Sequence, residues 1–185
     1  MLRRRRGVSA LALGLFLSLA GWAGWLDAKA WLAQHLIANA WQMTLEKGTR
    51  QRPWSWADTW PVARLSRPDG ETLYVLESAS GQALAFGPGR LAGGNNTRQA
   101  WVLAGHRDTH FAFLEDLNKG DQLSLQLADG RLHRFHVSRQ EIINSEQHPL
   151  QVPNDNRQLI LITCYPFDAV TPGGPLRYVV TASAF

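Results

Sequence analysis

Four consecutive apolar residues, Leu159 to Ile162, run straight into Thr163-Cys164-Tyr165-Pro166. A short unbroken run of this kind matches a strand buried on both faces. Pro166 cannot continue a central strand, so the chain is predicted to leave the sheet just after Cys164. From Pro61 onward, similar short runs alternate with turn signals. Strand candidates are Val62 to Leu65, Thr72 to Leu76 after Asp69-Gly70, Ala83 to Phe86 closed by Gly87-Pro88-Gly89, and Gln99 to Ala104. Leu123, Leu125 and Leu127 alternate with polar residues, Asp129-Gly130 signals a hairpin, and Leu132 to Val137 is the return strand. Tyr178 to Ala182 closes the series, and a short helix is predicted near Phe111 to Leu117. About eight short strands in roughly 120 residues predict a mainly β body, a closed or nearly closed barrel, with a sandwich as the alternative.

The residues before Pro61 have a different character. Arg3 to Arg6 precede Gly7 to Leu26, which carries no charge. Twenty such residues suffice for a helix across a bilayer core of roughly 30 Å. The arginines would stay cytoplasmic, placing the body outside, and Trp22 and Trp25 fall at the far interface. The competing reading is a cleaved signal peptide ending near Ala28-Lys29-Ala30. That site lies beyond Asp27, and the apolar run is long for a signal peptide, so an uncleaved anchor over 1–26 is preferred. Asp27 to about Lys47 reads as a helical stalk, with Leu32, Leu36, Ile37, Ala40, Trp41 and Leu45 at mostly three- and four-residue steps. Trp54, Trp56 and Trp60, framed by Pro53 and Pro61, are expected to form an aromatic clasp between stalk and body, completing a segment 27–60 that leads into a body at 61–185.

Charge excludes one class of partner. The chain of 185 residues carries a net +4, but residues 1–50 hold seven Lys/Arg against two acids. The remainder holds twelve against thirteen and is nearly neutral. A nucleic-acid surface should be basic on the folded part, so nucleic acid is set aside. One Cys permits no internal disulfide. His106 and His110 lack the Glu and third ligand of a zinc helix, and His133 and His136 fall on opposite faces of a strand, so no metal or other cofactor is expected. His106-Arg107-Asp108 matches a kinase tripeptide with none of its companions, and Gly87-Pro88-Gly89 and Gly93-Gly94 lack the Gly-Lys-Ser/Thr of a phosphate loop.

Three residues remain as candidates for chemistry. Cys164 ends the most apolar strand, where a thiol is either an inert core residue or a nucleophile at the barrel lip. His106 follows Gly105 at another strand exit and is a candidate acid/base partner, the alternative being an ordinary turn His. Arg177 opens the last strand after a Pro/Gly-rich turn; it is either solvated or aimed at a developing oxyanion.

Ile160-Leu161-Ile162-Thr163-Cys164, with Arg177 thirteen residues later and Gly105-His106 about sixty residues upstream, resembles the sortase signature. Thr163-Cys164-Tyr165-Pro166-Phe167 with Arg177-Tyr178-Val179-Val180 is similar to class D sortases. The Arg-rich start, Trp54 to Trp60 and Pro61 to Leu65 resemble the Gram-negative, marine proteobacterial branch. One departure is Ile160, where the signature has Thr. The resemblance implies an eight-stranded sortase barrel and a cysteine transpeptidase. It implies Cys164 as nucleophile, His106 as general acid/base and Arg177 on the oxyanion, with Thr163, Tyr165 and Gly105 lining the peptide site. It also implies a secreted partner with a C-terminal Leu-Pro-x-Thr-Gly-like sorting signal, an unspecified amine acceptor, and an inner-membrane enzyme facing the periplasm. The rival readings are a different periplasmic thiol peptidase and a non-catalytic peptide-binding barrel with a buried Cys164.

Overall fold

Strands whose side chains alternate need a closed surface to hide one face, and this chain supplies it by joining its first and last neighbours. In the computed structural model, which describes residues 25, 28–94, 97–171 and 173–185, eight strands form a closed barrel in the order β1-β2-β3-β4-β7-β8-β6-β5. They are β1 (Pro61–Ser66), β2 (Thr72–Leu76), β3 (Gly89–Ala92), β4 (Trp101–Ala104), β5 (Gln122–Leu127), β6 (Leu132–Asn144), β7 (Gln158–Cys164) and β8 (Leu176–Ala184). The β2–β3 and β4–β7 pairs are parallel and the rest antiparallel. The predicted helix after β4 is a 3-10 turn, Ala112–Glu115. The barrel expectation thus stands, with two changes in its parts.

Ala83 to Phe86 is not a strand. Gly81–Leu84 forms a short helix, α2, because Ser80 caps it through Ala83 N–H (3.4 Å) and Leu84 N–H closes a turn on Ser80 O (2.9 Å). A four-residue apolar run does not distinguish helix from strand, and a Ser N-cap decides the matter locally. The missing strand is β3, hidden in the turn signal at Gly89. A Cβ there would lie 2.3 Å from Ser78 O, so only glycine lets the neighbouring backbones approach. The second change is β6, which runs on to Asn144 because β8 pairs with it from Phe135↔Ala184 to Asn144↔Leu176.

The chain divides into two compact units, Met1–Leu36 and Ile37–Phe185. Residues 28–47 are helical (α1), in line with the predicted stalk. In the first unit Trp25, Trp31 and Leu32 are exposed, and Trp31 packs on the His35 ring at 3.8 Å. The predicted anchor over 1–26 lies outside the described residues except for Trp25. Among the described residues no helix is long and apolar enough to cross a membrane. In the second unit Ile37 of α1 packs with Leu76 and Ala83, flanked by Trp54, Tyr74 and Phe86. Trp54 therefore clasps helix to barrel as expected, edge-on to Phe86 at 5.3 Å. Trp56 does not join it and is 83% exposed.

Two cores lie on opposite faces of the same sheet. The barrel interior is filled by Leu65, Leu103, Phe111, Leu125, Phe135, Leu159, Leu161 and Val180 among others. A second cluster (Val102, Ile160, Ile162 and Val179) sits on the outer face of β4, β7 and β8, with Leu150 and Val152 of the β6–β7 connection packed on it. The unbroken Leu159–Ile162 run is thereby buried on both faces, alternate residues serving each core.

Candidate active site

Strand alternation determines which side chains can meet. On β4, Val102 faces outward and Leu103 inward; on β7, Ile160 and Ile162 face outward; on β8, Val179 does. Counting by two from these residues puts Cys164 and Arg177 on the outer face, and they are direct register partners in the β7–β8 ladder. Ala104 pairs with Ile162 in the parallel β4–β7 ladder, and Gly105 N–H extends it to Ile162 O (3.2 Å). His106 lies two residues beyond that couple, past the end of β4, in a turn where its carbonyl accepts Phe111 N–H (2.9 Å). β7 and β8 thus set Cys164 and Arg177 side by side at one edge of the outer face, and the exit of the neighbouring strand β4 carries His106. Adjacent strands are about 4.8 Å apart, within reach of a thiol, an imidazole and a long guanidinium.

The three differ in exposure in a useful way. His106 is exposed, and Cys164 and Arg177 are half-buried. A buried thiol, which the non-catalytic reading requires, is not what the fold provides. Arg177 Nη1 donates to Gly174 O (2.7 Å) and Leu176 O (2.8 Å), leaving its other guanidinium N–H groups for a ligand.

Thr163 and Gly105 face the other way. Thr163 is buried and its Oγ1 donates to Gly105 O at 2.8 Å. A Cβ on Gly105 would point at the Phe111 ring, 2.7 Å from Cγ. These two residues weld β7 to the end of β4 from inside the barrel, rather than offering side chains to a peptide. Tyr165 is half-buried beside Cys164, stacked on Tyr178 at 6.2 Å, and Phe167 meets Tyr178 edge-on at 5.2 Å. This aromatic group seals the barrel end beneath the β7–β8 loop. Burial raises the Tyr178 phenol above its ordinary value, with Tyr165 and Glu115 adding to the shift.

His110 is the second imidazole at this end. Burial holds it below the usual histidine value, a hydrogen bond to the Ala85 backbone opposes that, and the His106 charge reinforces it. The pair does not build a metal site: among the described residues no three His, Cys, Asp or Glu side chains gather for one.

Sequence reasoning missed Arg107. Its side chain is 5% exposed, yet it reaches three backbone carbonyls of the β7–β8 loop: Pro166 O from Nη1 (2.7 Å), and Ala169 O and Thr171 O from Nη2. Nε adds Asp108 at 3.0 Å. Backbone carbonyls some sixty residues away leave no mark on the sequence, and the only local signal was the His106-Arg107-Asp108 tripeptide.

A sortase-domain family profile matches residues 67–185. Over 80 residues the chain is 38% identical to sortase D of Bacillus subtilis strain 168, an alignment covering 43% of this chain and 39% of that protein. Among solved structures, sortase A from Corynebacterium diphtheriae is 26% identical, with a TM-score of 0.59 over 70% of this chain and 63% of the other. A Clostridium perfringens sortase D5 transpeptidase shares the fold at 14% identity, with a TM-score of 0.64 over 83% of this chain and 98% of that one. The alignments thus span well under two thirds of the curated relative and just under two thirds of the Corynebacterium structure. With the profile running from just after β1 through the last strand over the same barrel, the chain belongs to the sortase family.

Proposed function

We propose that this chain is a membrane-anchored sortase of the Gram-negative branch. It would cleave a secreted protein at a C-terminal Leu-Pro-x-Thr-Gly-like signal and pass the acyl group to an amine, or to water. The observation that carries the reading is the Cys164↔Arg177 register pair, with His106 two residues past the end of the neighbouring strand β4.

The chemistry divides one difficult displacement into two easier ones. Cys164 Sγ, its proton held by His106, attacks the carbonyl carbon of the signal's Thr, forming a C–S bond and an oxyanion. Arg177 favours that negative charge. As the C–N bond breaks, His106 delivers a proton to the leaving amine, giving a thioester. The incoming amine then loses a proton to His106, attacks the thioester carbon and releases Cys164. The exposure of His106 supports a role facing two successive partners from solvent.

The uncharged stretch Gly7 to Leu26 behind Arg3 to Arg6 supports an inner-membrane anchor with the barrel in the periplasm. A substrate with its own membrane segment would then meet the enzyme in two dimensions, raising the effective concentration. The loop between Cys164 and Arg177 would shape the peptide groove, so exchanging residues 168–175 should alter peptide preference.

The test is cleavage of a quenched fluorescent Leu-Pro-x-Thr-Gly-type peptide panel by the full chain in detergent, beside C164A, H106A and R177A. The reading expects each variant to lose about 10³-fold or more of kcat/KM with the barrel still folded. Cleavage that survives in C164A would overturn it.

A further inference from the structure

Arg107 is a buried cation whose only acidic partner among the described residues, Asp108, is 70% exposed along its side chain. Burying a guanidinium is costly unless its donors are met, and here three loop carbonyls meet them. Such an expense, directed chiefly at backbone carbonyls, points to shape. Arg107 adds to what else holds the leading half of the β7–β8 loop: Tyr165 N–H on Leu176 O (3.1 Å), Ala169 N–H on Pro166 O (3.4 Å) and the packing of Phe167 on Tyr178. Beyond Phe167 its side chains turn to solvent: Asp168 and Thr171 are exposed, and Val170 is 98% exposed. The trailing half is secured separately. Ser145 Oγ and N–H both reach Pro175 O at 2.8 Å, and Arg177 reaches Gly174 O and Leu176 O.

Two arginines therefore grip one loop from its two ends. They are not equivalent. Arg177 is half-buried at the lip beside Cys164, and it holds its carbonyls through Nη1 alone, which leaves Nε and Nη2 for a ligand. Arg107 is enclosed and follows His106 directly, and its donors are taken up by the loop and Asp108. We propose that Arg107 is a positioning residue, the permanent clamp of the β7–β8 loop. It joins the His106 turn to the loop roof, so that the loop keeps its shape whether or not Arg177 engages a substrate. The inference rests on the proposed sortase reaction only for the identity of that substrate; the clamp itself is a property of the chain.

The experiment compares full-length wild type with R107A, R107K and D108N in detergent. Amide hydrogen exchange is followed across residues 167–174, and peptide cleavage and alkylation of Cys164 by iodoacetamide are measured on the same samples. Amides of 168–171 should exchange faster in R107A. R107K keeps the charge but cannot fork to three carbonyls, so it should fall between. D108N should match wild type, because an exposed pair contributes little. In R107A kcat/KM should drop about ten- to a hundredfold, mostly through KM and with blunted discrimination among peptides, while iodoacetamide still reacts at the wild-type rate. A merely structural role would instead lower cleavage and alkylation together, without altering discrimination. Unchanged loop exchange in both R107A and R107K would overturn the clamp. If R107A does not fold, R107K and D108N carry the comparison. Altered loop exchange in a protein whose wild type cleaves no peptide would leave the clamp standing and refute the sortase reaction instead.

Discussion

Gly105→Ala is the smallest change that should disturb the site without touching a reactive group. The added Cβ would stand 2.7 Å from Phe111 Cγ, 2.9 Å from Cδ2 and 3.0 Å from Cδ1. Carbon atoms rest at about 3.5–4.0 Å, so the root of the ring must retreat by about 1 Å. It has little room, since Phe111 is fully buried and edge-on to Phe113 at 5.9 Å. Overpacking of this kind costs about 1–3 kcal/mol. Gly105 is not among the positive-φ glycines, so the alanine also restricts the unfolded chain and returns about 0.4–1 kcal/mol. Overpacking prevails, and urea unfolding at constant m should show a net loss of about 1–2 kcal/mol. The kinetic effect should be larger. Phe111 N–H donates to His106 O at 2.9 Å, so a ring that retreats takes the His106 turn with it. A 1 Å misplacement of that imidazole would lower kcat by up to about a hundredfold. Phe111→Leu vacates the space, so adding it to Gly105→Ala should recover part of both losses, with a coupling of about 0.5–3 kcal/mol in the double-mutant cycle. Strict additivity, or a Gly105→Ala protein with wild-type stability and kcat, would refute the proposed steric chain from Phe111 to His106.

Other consequences follow from the same contacts. Thr163→Val leaves Gly105 O without its hydroxyl partner and should cost about 1–3 kcal/mol in urea unfolding, whereas Thr163→Ser should cost less; equal losses would show that the hydrogen bond is not the cause. Burial holds His110 below the ordinary histidine value of about 6.5, so the folded state binds fewer protons than the unfolded one just below that pH. Stability should therefore be complete above about pH 6.5 and decline as the pH falls towards the folded value, and His110→Asn should flatten that slope in a pH series of thermal melts. Trp54→Ala should destabilise by about 2–4 kcal/mol because it removes the clasp on Ile37 and Phe86, while Trp56→Ala should stay within about 0.5 kcal/mol; the reverse order would mean that the exposed indole is the anchor.

What the sequence revealed and concealed follows physical lines. Leu123, Leu125 and Leu127 announced β5 because one face of that strand is buried, and Leu159 to Ile162 announced β7 because both of its faces are. Asp129-Gly130 located the β5–β6 hairpin, where Gly130 has φ of 81°. Ala83 to Phe86 misled because a single buried alanine and a Ser80 cap decide a four-residue helix, and neither has a period. Gly89 hid β3 because the need for close backbone approach looks the same in sequence as a turn. At the site, Cys164, His106 and Arg177 were legible as residues at strand exits or entries, and register then paired Cys164 with Arg177. Thr163 and Gly105 were legible as neighbours of the site but not as inward-facing, since which face is inside depends on the partners of β4 and β7. Arg107 was illegible because all it binds beyond its neighbour Asp108 is backbone.

The central claim is that Cys164, paired in register with Arg177, is a nucleophile towards a peptide carbonyl. Intact mass spectrometry of the chain after brief incubation with a Leu-Pro-x-Thr-Gly-type peptide, quenched in acid, tests it directly. The account predicts an adduct with the mass of the acyl portion on wild type, located on Cys164, discharged by an added amine and missing from C164A. No adduct across a broad panel of sorting peptides, from a protein whose Cys164 resists alkylation when folded, would contradict it.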